Sequence, residues 1–287
     1  MYELKKFEVW ASEIAGFLNR DLVGTDFILE GPRSLRIYQS GPARNVANPA
    51  NILLLTSTPE ERSPCHAYIV TDRPELDMGN VLREFFSTLT MNTVHPSAVV
   101  SDKARIGRNV MVGALSVIGP DVEIGDNTKI LSNVVINGPA TIGKQCVIKD
   151  GAVVGSEGWG FIDDEDGVPF HPPQLGRVIV GDQVWIGSNT TIERAIVEDT
   201  TVCANTKLDD LVHIGGGSYI GSKCMVTAGS VIAFNVVLGD NVTIAPNACI
   251  RENVTVHDDV TIGQGAVVVE DLSDPGVYVG NPARFLR

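Results

Sequence analysis

From Val94 to Val268 the chain repeats one aliphatic residue every six positions. Val94, Val100, Ile106, Val112, Ile118, Ile124, Ile130, Ile136, Ile142, Ile148 and Val154 keep the interval, as do Val180, Ile186 and Ile192, and then every sixth residue from Val202 to Val268. The position two before each is restricted, reading Thr200, Thr206, Val212, Ser218, Cys224 and Ser230 at the start of the last run. The position after is often glycine, as at Gly107, Gly113, Gly119, Gly125, Gly181 and Gly221. An α-helix spaces apolar residues three and four apart and turns a six-residue interval off its face, whereas inward residues at i−2 and i suit a short strand. A short strand plus a corner, repeated, predicts a mainly β protein: a parallel β-helix with three strands per coil. The glycine after each aliphatic is expected to supply the permissive backbone of the corner.

Two irregularities break the beat. Val154 and Val180 are not separated by a multiple of six, so residues 155–177 are expected to leave the coil as a protruding loop. Ile192 and Val202 are ten apart, marking a second bulge at ERAIVEDT. Function is expected at such breaks, although loops also tolerate insertion for no functional reason. An open stack needs covers at both ends. Residues 1–92 read as a small α/β domain, with helical spacing in VWASEIAGFLNRDLVG and LDMGNVLREFFSTL and strands in NILLLTS and CHAYIVTD. Residues 93–270 form the β-helix, and the tail 271–287 is expected to cover the last coil.

Composition narrows the partners. A formal charge of −13 is a poor match for nucleic acid or an anionic membrane, both of which need a positive field. No stretch has the roughly 18 uninterrupted apolar residues of a membrane span, and the charged N-terminus reads as no export signal, so a cytoplasmic protein is expected. The five cysteines are scattered without metal-ligand spacing, which predicts reduced thiols and no metal site.

The hexad [VIL]-G-x-x-[small]-x resembles that of the left-handed β-helix acyltransferases, and the resemblance implies the left hand, a homotrimer and active sites between subunits. GSEGWGF, PPQLGRVIVGDQVWIGSNTTIER and KLDD are similar to segments of the UDP-3-O-acylglucosamine N-acyltransferases of lipid A synthesis. Three departures stand out. The slot of that family's catalytic histidine is Gly216, a further family histidine falls on Asn235, and the uracil-holding aromatics are missing from Leu53–Pro59. The ending PGVYVGNPARFLR resembles that of acetyl-CoA-dependent sugar acetyltransferases and lacks the helical extension that helps bind acyl carrier protein. The combination implies an acyl-CoA-dependent N-acetyltransferase of nucleotide-linked amino sugars for surface glycans such as O-antigen, with acetyl-CoA as co-substrate and no permanently bound cofactor. Two alternatives stay open: a lipid A N-acyltransferase using hydroxyacyl carrier protein, and a non-catalytic β-helix scaffold.

The candidate catalytic residues are His213, Asp210 and Glu157. Strand alternation points His213 outward, and Asp209 and Asp210 stand near enough in sequence to orient it or hold the amine. Three readings remain open: His213 as general base, a site without a protein base (since a thioester is already activated), and a histidine that decorates the surface. Glu157, Trp159 and Phe161 in the loop match acidic and aromatic family positions, and the aromatics serve equally to pack the loop on its coil. Glu193 and Arg194 match the family's acidic-Arg pair and are read either as substrate ligands or as a structural ion pair. His171 and Gln174, Asp209 and Asn235 complete the substrate set. Gly216, Ala228, Gly229, Gly265, Asn281 and Arg284 form the candidate CoA set, Arg284 as the partner of a CoA phosphate.

Overall fold

The computed structural model describes residues 2–3, 9–24, 27–29, 35–37, 53–56, 67–86, 88–89 and 93–287. The chain divides into two compact units, Met1–Thr90 and Met91–Arg287. In the first, helices Ala11–Phe17 and Pro74–Phe85 accompany a sheet ordered Leu22–Gly24, Ala67–Val70, Leu53–Thr56, Leu35–Ile37. Ile14, Leu29, Leu53, Leu55, Ile69 and Val81 form its core. The second helix starts on a proline, carries Glu75 and Asp77 in its first turn and Arg83 in its last, which complements the helix dipole. The end of the Leu53–Pro59 stretch lies outside the described residues.

The second unit is a left-handed parallel β-helix of about ten coils. Three sheets form its faces. The first runs from Arg105–Ile106 to Thr255–Val256, the second from Met111–Val112 to Arg284–Phe285, and the third from Val99–Val100 to Val267–Val268. Regular coils pair residues 18 apart, as in Met111↔Lys129 and Val117↔Val135. The period-six aliphatics form one continuous core, from Val112 and Ile118 through to Val268.

The corners differ from the expectation. Left-handed backbone falls not on the glycine after each aliphatic but three residues after it. Asn109, Asn127, Asn133, Asn189, Asn205, Asn241 and Asn247 all have φ between 55° and 65° there. Asparagine tolerates this conformation best among side-chain-bearing residues. The glycine is required instead by close stacking: a Cβ on Gly113 would lie 2.5 Å from the Leu131 carbonyl carbon, and one on Gly125 2.7 Å from that of Gly143.

Buried hydroxyls two before the aliphatics stitch successive coils. Thr128, Thr206 and Ser218 donate to the carbonyls of Gly143, Gly221 and Ala233, and accept the amides of Cys146, Cys224 and Val236. Cys146 and Cys224 occupy the same slot and donate to the Gly181 and Gly239 carbonyls at 3.1 and 3.2 Å. Burial pushes the Cys224 thiol up to about 11, so it remains a donor. Corner aspartates add an outer ladder, Asp126, Asp150, Asp182, Asp210 and Asp240 each accepting a backbone amide of the preceding coil. In the tail, Gly276–Val279 pairs with Val260–Ile262, and Arg284–Phe285 folds back on it, burying Tyr278 and Ala283. Among the described residues no helix is long and apolar enough to cross a membrane.

Candidate functional site

Both insertions leave the coil at the same edge. Val154 pairs with Ile192 and Ile192 with Ile214, intervals of 38 and 22 residues in place of 18. Each insertion follows a third-face strand, so loop and bulge stack at the corner leading to the first face. The strand Val153–Glu157 extends past its usual two residues to pair Ser156 with Glu193 and Glu157 with Arg194. Beyond it, Ile162–Asp163 and Pro169–Phe170 form a small hairpin.

Side-chain contacts hold the loop down. Gln174, buried, accepts the Gly158 amide at 2.8 Å and donates to the Gly158 carbonyl at 2.9 Å. His171 Nε2 lies 2.9 Å from that same carbonyl, and its Nδ1 lies 3.6 Å from Glu157 Oε2. Arg194 donates to the Gly138 carbonyl at 2.7 Å and reaches Glu157 at 3.3 Å, while its Nε is buried without a partner. Phe161 sits between Trp159 and His171, tilted to the first and edge-on to the second, with centroids 5.0 Å from each. Trp159 remains 86% exposed, far more than a side chain recruited to pack the loop would be.

These elements enclose a cleft of about 280 Å³. Its lining includes Trp159, Phe161, Ile162, Ile196 and Phe234, the polar Gln174, Glu193, Arg194, Glu198 and Asn235, and Gly216. The glycines make room: a Cβ on Gly158 would lie 2.4 Å from the Glu193 carboxylate, and one on Gly160 2.6 Å from Gln174 Nε2. Gly216 is closed in the same way, since a Cβ there would lie 2.6 Å from the Arg194 carbonyl oxygen.

His213 stands beside this cleft. Its Nε2 is 3.9 Å from Glu193 Oε2, and its Nδ1 is 2.8 Å from Thr191 Oγ1. Burial pushes the Glu193 carboxyl up, partly offset by His213 and by the Gly216 amide that it accepts. The carboxylate facing His213 is therefore Glu193, not the expected Asp209 or Asp210. Asp210 accepts Lys149 Nζ and the Ser188 amide, both at 2.6 Å, and Lys149 holds its carboxyl below the usual range. Asp209 lines a separate groove on the second face with Trp185, Lys207 and Met225.

The neighbours of His213 along its face are apolar. The outward row of the third face reads Val99, Val117, Val135, Val153, Thr191, His213, Val231, Cys249, Val267. Thr191 and His213 alone interrupt the aliphatic and cysteine side chains. The structure thus gathers Trp159, Phe161, Gln174, Glu193, Arg194, Gly216 and Asn235 in one cleft, with Glu157, His171 and His213 against it. It does not bring the rest of the CoA set there. Ala228, Gly229 and Gly265 lie at the corner between second and third faces, and Asn281 and Arg284 lie in the tail, where Arg284 pairs with Glu270 at 2.9 Å. Thr191 and Phe234 were not among the candidates. Thr191's signal was available in its outward slot, one before Ile192.

A family model for the bacterial transferase hexapeptide (six repeats) matches residues 121–156 and 235–269, and one for the hexapeptide repeat of succinyl-transferase matches 103–138. A UDP-3-O-acylglucosamine N-acyltransferase of Gloeothece citriformis is 36% identical over 230 residues, 74% of this chain and 65% of that protein. One of Coxiella burnetii is 36% identical over 203 residues, 64% of this chain and 59% of that protein. The chain thus spans about three fifths of that relative's length. Among solved structures, a UDP-N-acetylglucosamine acyltransferase from Bacteroides fragilis aligns with a TM-score of 0.61 at 27% identity, covering 68% of this chain and 74% of that one. The hexads, the coil and these likenesses agree: the chain resembles the left-handed β-helix acyltransferases built on hexapeptide repeats.

Proposed function

We propose that the chain is an N-acyltransferase, moving an acyl group, acetyl in the simplest case, from a coenzyme A thioester to the amine of a nucleotide-linked amino sugar. The observation that carries this is the His213–Glu193 pair beside an aromatic cleft. At neutral pH an aliphatic amine arrives as an ammonium ion. The 3.9 Å gap between Nε2 and Oε2 leaves both groups free to accept from such a nitrogen. His213 Nε2 takes a proton, and Glu193 faces the imidazolium that results. The imidazolium releases that proton to solvent, the neutral amine attacks the thioester carbonyl and the C–N bond forms. His213 takes the second proton from the attacking nitrogen, and as the C–S bond breaks the departing thiolate receives it from His213, so that one proton in all is lost to solvent. A base of this kind contributes roughly 10²–10⁴ in rate, and orientation of the two partners the remainder. Trp159 and Phe161 stack on the sugar or base, and Arg194 holds the loop that carries them.

The apolar outward row of the third face supports a homotrimer, in which that face is covered and the Thr191–His213 pair lies at the junction. The second-to-third corner of a neighbouring subunit, with Ala228, Gly229 and Gly265, then supplies the donor wall. The cleft lies near the small end of ligand pockets, roughly 300–1,000 Å³, which favours a short acyl group. A second reading, N-acylation of UDP-3-O-acylglucosamine from hydroxyacyl carrier protein, is favoured by the names of the relatives at 36% identity.

Thiol release with a panel of nucleotide amino sugars, comparing acetyl-CoA with hydroxyacyl carrier protein, tests both. Turnover with acetyl-CoA that drops at least a hundredfold in His213→Ala and Glu193→Gln is expected. Turnover confined to the carrier protein makes the second reading correct. Unchanged turnover in His213→Ala removes the base, and silence from every pair in the wild type leaves a scaffold.

A further inference from the structure

The proposed mechanism requires Nε2 of His213, and not Nδ1, to hold the lone pair. A neutral imidazole carries one proton, and which nitrogen bears it is set by the partner of the other. Glu193 faces Nε2 at 3.9 Å, beyond hydrogen-bond reach, so it does not by itself hold the ring. Thr191 Oγ1 lies at 2.8 Å from Nδ1, within it. Thr191 and His213 are also the only polar members of their row, and they pair directly across the sheet.

We infer that Thr191 is a positioning residue of the reaction. Its hydroxyl accepts Nδ1–H in both the neutral and the charged ring. Nε2 therefore faces Glu193 with its lone pair free, and the imidazolium keeps the Thr191 acceptor on Nδ1 with the Glu193 carboxylate 3.9 Å from Nε2. Regular coil spacing would not produce this contact. At an interval of 18, His213 would stand above Ala195. The four residues added by the bulge move Thr191 into that place. The bulge thus shapes the cleft and sets the tautomer together.

This rests on His213 acting as the base, but its test is separable from turnover. Thr191→Val keeps the β-branched shape that the row otherwise uses, and Thr191→Ser keeps the hydroxyl. Histidine ¹⁵N spectra of the full chain, recorded at a pH where the ring is neutral, report the tautomer without substrate. Nδ1–H is expected in the wild type and in Thr191→Ser, and Nε2–H, turned to Glu193, in Thr191→Val. With substrates, kcat is expected to fall about a hundredfold in Thr191→Val, the low end of what a general base supplies. Thr191→Ser should restore it, with KM for the sugar changing less than threefold. Nε2–H in the wild type, or Nδ1–H retained in Thr191→Val, overturns the inference whatever the turnover shows. The expected tautomers with no turnover in any form would leave Thr191's effect on the ring intact and remove the acyl-transfer reading instead.

Discussion

Replacing Thr206 with valine separates two accounts of what holds the coils together. The Thr206 hydroxyl is fully buried, donates to the Gly221 carbonyl at 2.7 Å and accepts the Cys224 amide at 3.1 Å. Valine has nearly the same shape, so Thr206→Val opens no cavity. It removes two hydrogen bonds and so leaves two backbone groups facing a methyl, at roughly 1–3 kcal/mol each. Burying a methyl in place of a hydroxyl returns about 1 kcal/mol. The net expectation is a loss of about 1–5 kcal/mol. Thr206→Ser keeps both hydrogen bonds and gives up one methyl, about 1 kcal/mol.

Guanidinium unfolding of the three proteins, compared at unchanged m value, is the assay. The expected order of stability is wild type, then Thr206→Ser, then Thr206→Val. Hydrophobic burial alone predicts the reverse for the variants, with valine at or above wild type. A Thr206→Val midpoint equal to wild type, or above Thr206→Ser, would refute the claim that buried hydroxyls stitch the corners.

Trp159→Ala should change stability by less than about 0.5 kcal/mol, as for other exposed positions, yet raise KM for the sugar about tenfold; thermal melts and initial rates read the two effects separately. Because burial raises the Glu193 carboxyl, the folded state binds its proton more tightly than the unfolded chain, and stability falls as pH rises from 4.5 through the raised folded value. Glu193→Gln removes that dependence, so its melting temperature should gain on the wild type between pH 4.5 and pH 8; a constant difference across the range would contradict the raised carboxyl. Leu115, exposed and held at φ 60°, occupies a corner where asparagine is the common residue, so Leu115→Asn should stabilise by up to about 1 kcal/mol in the same unfolding assay.

The coil was legible because one aliphatic per hexad leaves a period that neither helix nor flat sheet produces. Its corners were misassigned because glycine has two uses. At Gly113 and Gly125 it is required by the backbone of the next coil, while the left-handed turn belongs to the asparagines three residues after the aliphatics. Trp159, Gln174, Glu193 and Arg194 were identifiable by their place in the two breaks and by the likeness of those segments to a known family. The partner of His213 was not. Sequence proximity suggested Asp209 and Asp210, but successive residues at a corner diverge, and Asp210 turns to Lys149 while Asp209 faces the second face. Glu193 and Thr191 reach His213 only through the displaced register of the bulge, which no local pattern displays.

That register also accounts for the glycine at 216. In the resembling family a histidine occupies this slot. Here the bulge brings the Arg194 carbonyl to within 2.6 Å of where its Cβ would lie, and Ala195 Cα to within 3.1 Å. A side chain at 216 and this course of the bulge are mutually exclusive. The same course puts Glu193 against Gly158 and Thr191 against His213, so an imidazole at 213 meets both a carboxylate and a hydroxyl. A glycine at 216 and a histidine at 213 both fit the one course of the bulge. Gly216→His alone should displace the Arg194 carbonyl and loosen the loop that Arg194 ties to Gly138 and Glu157.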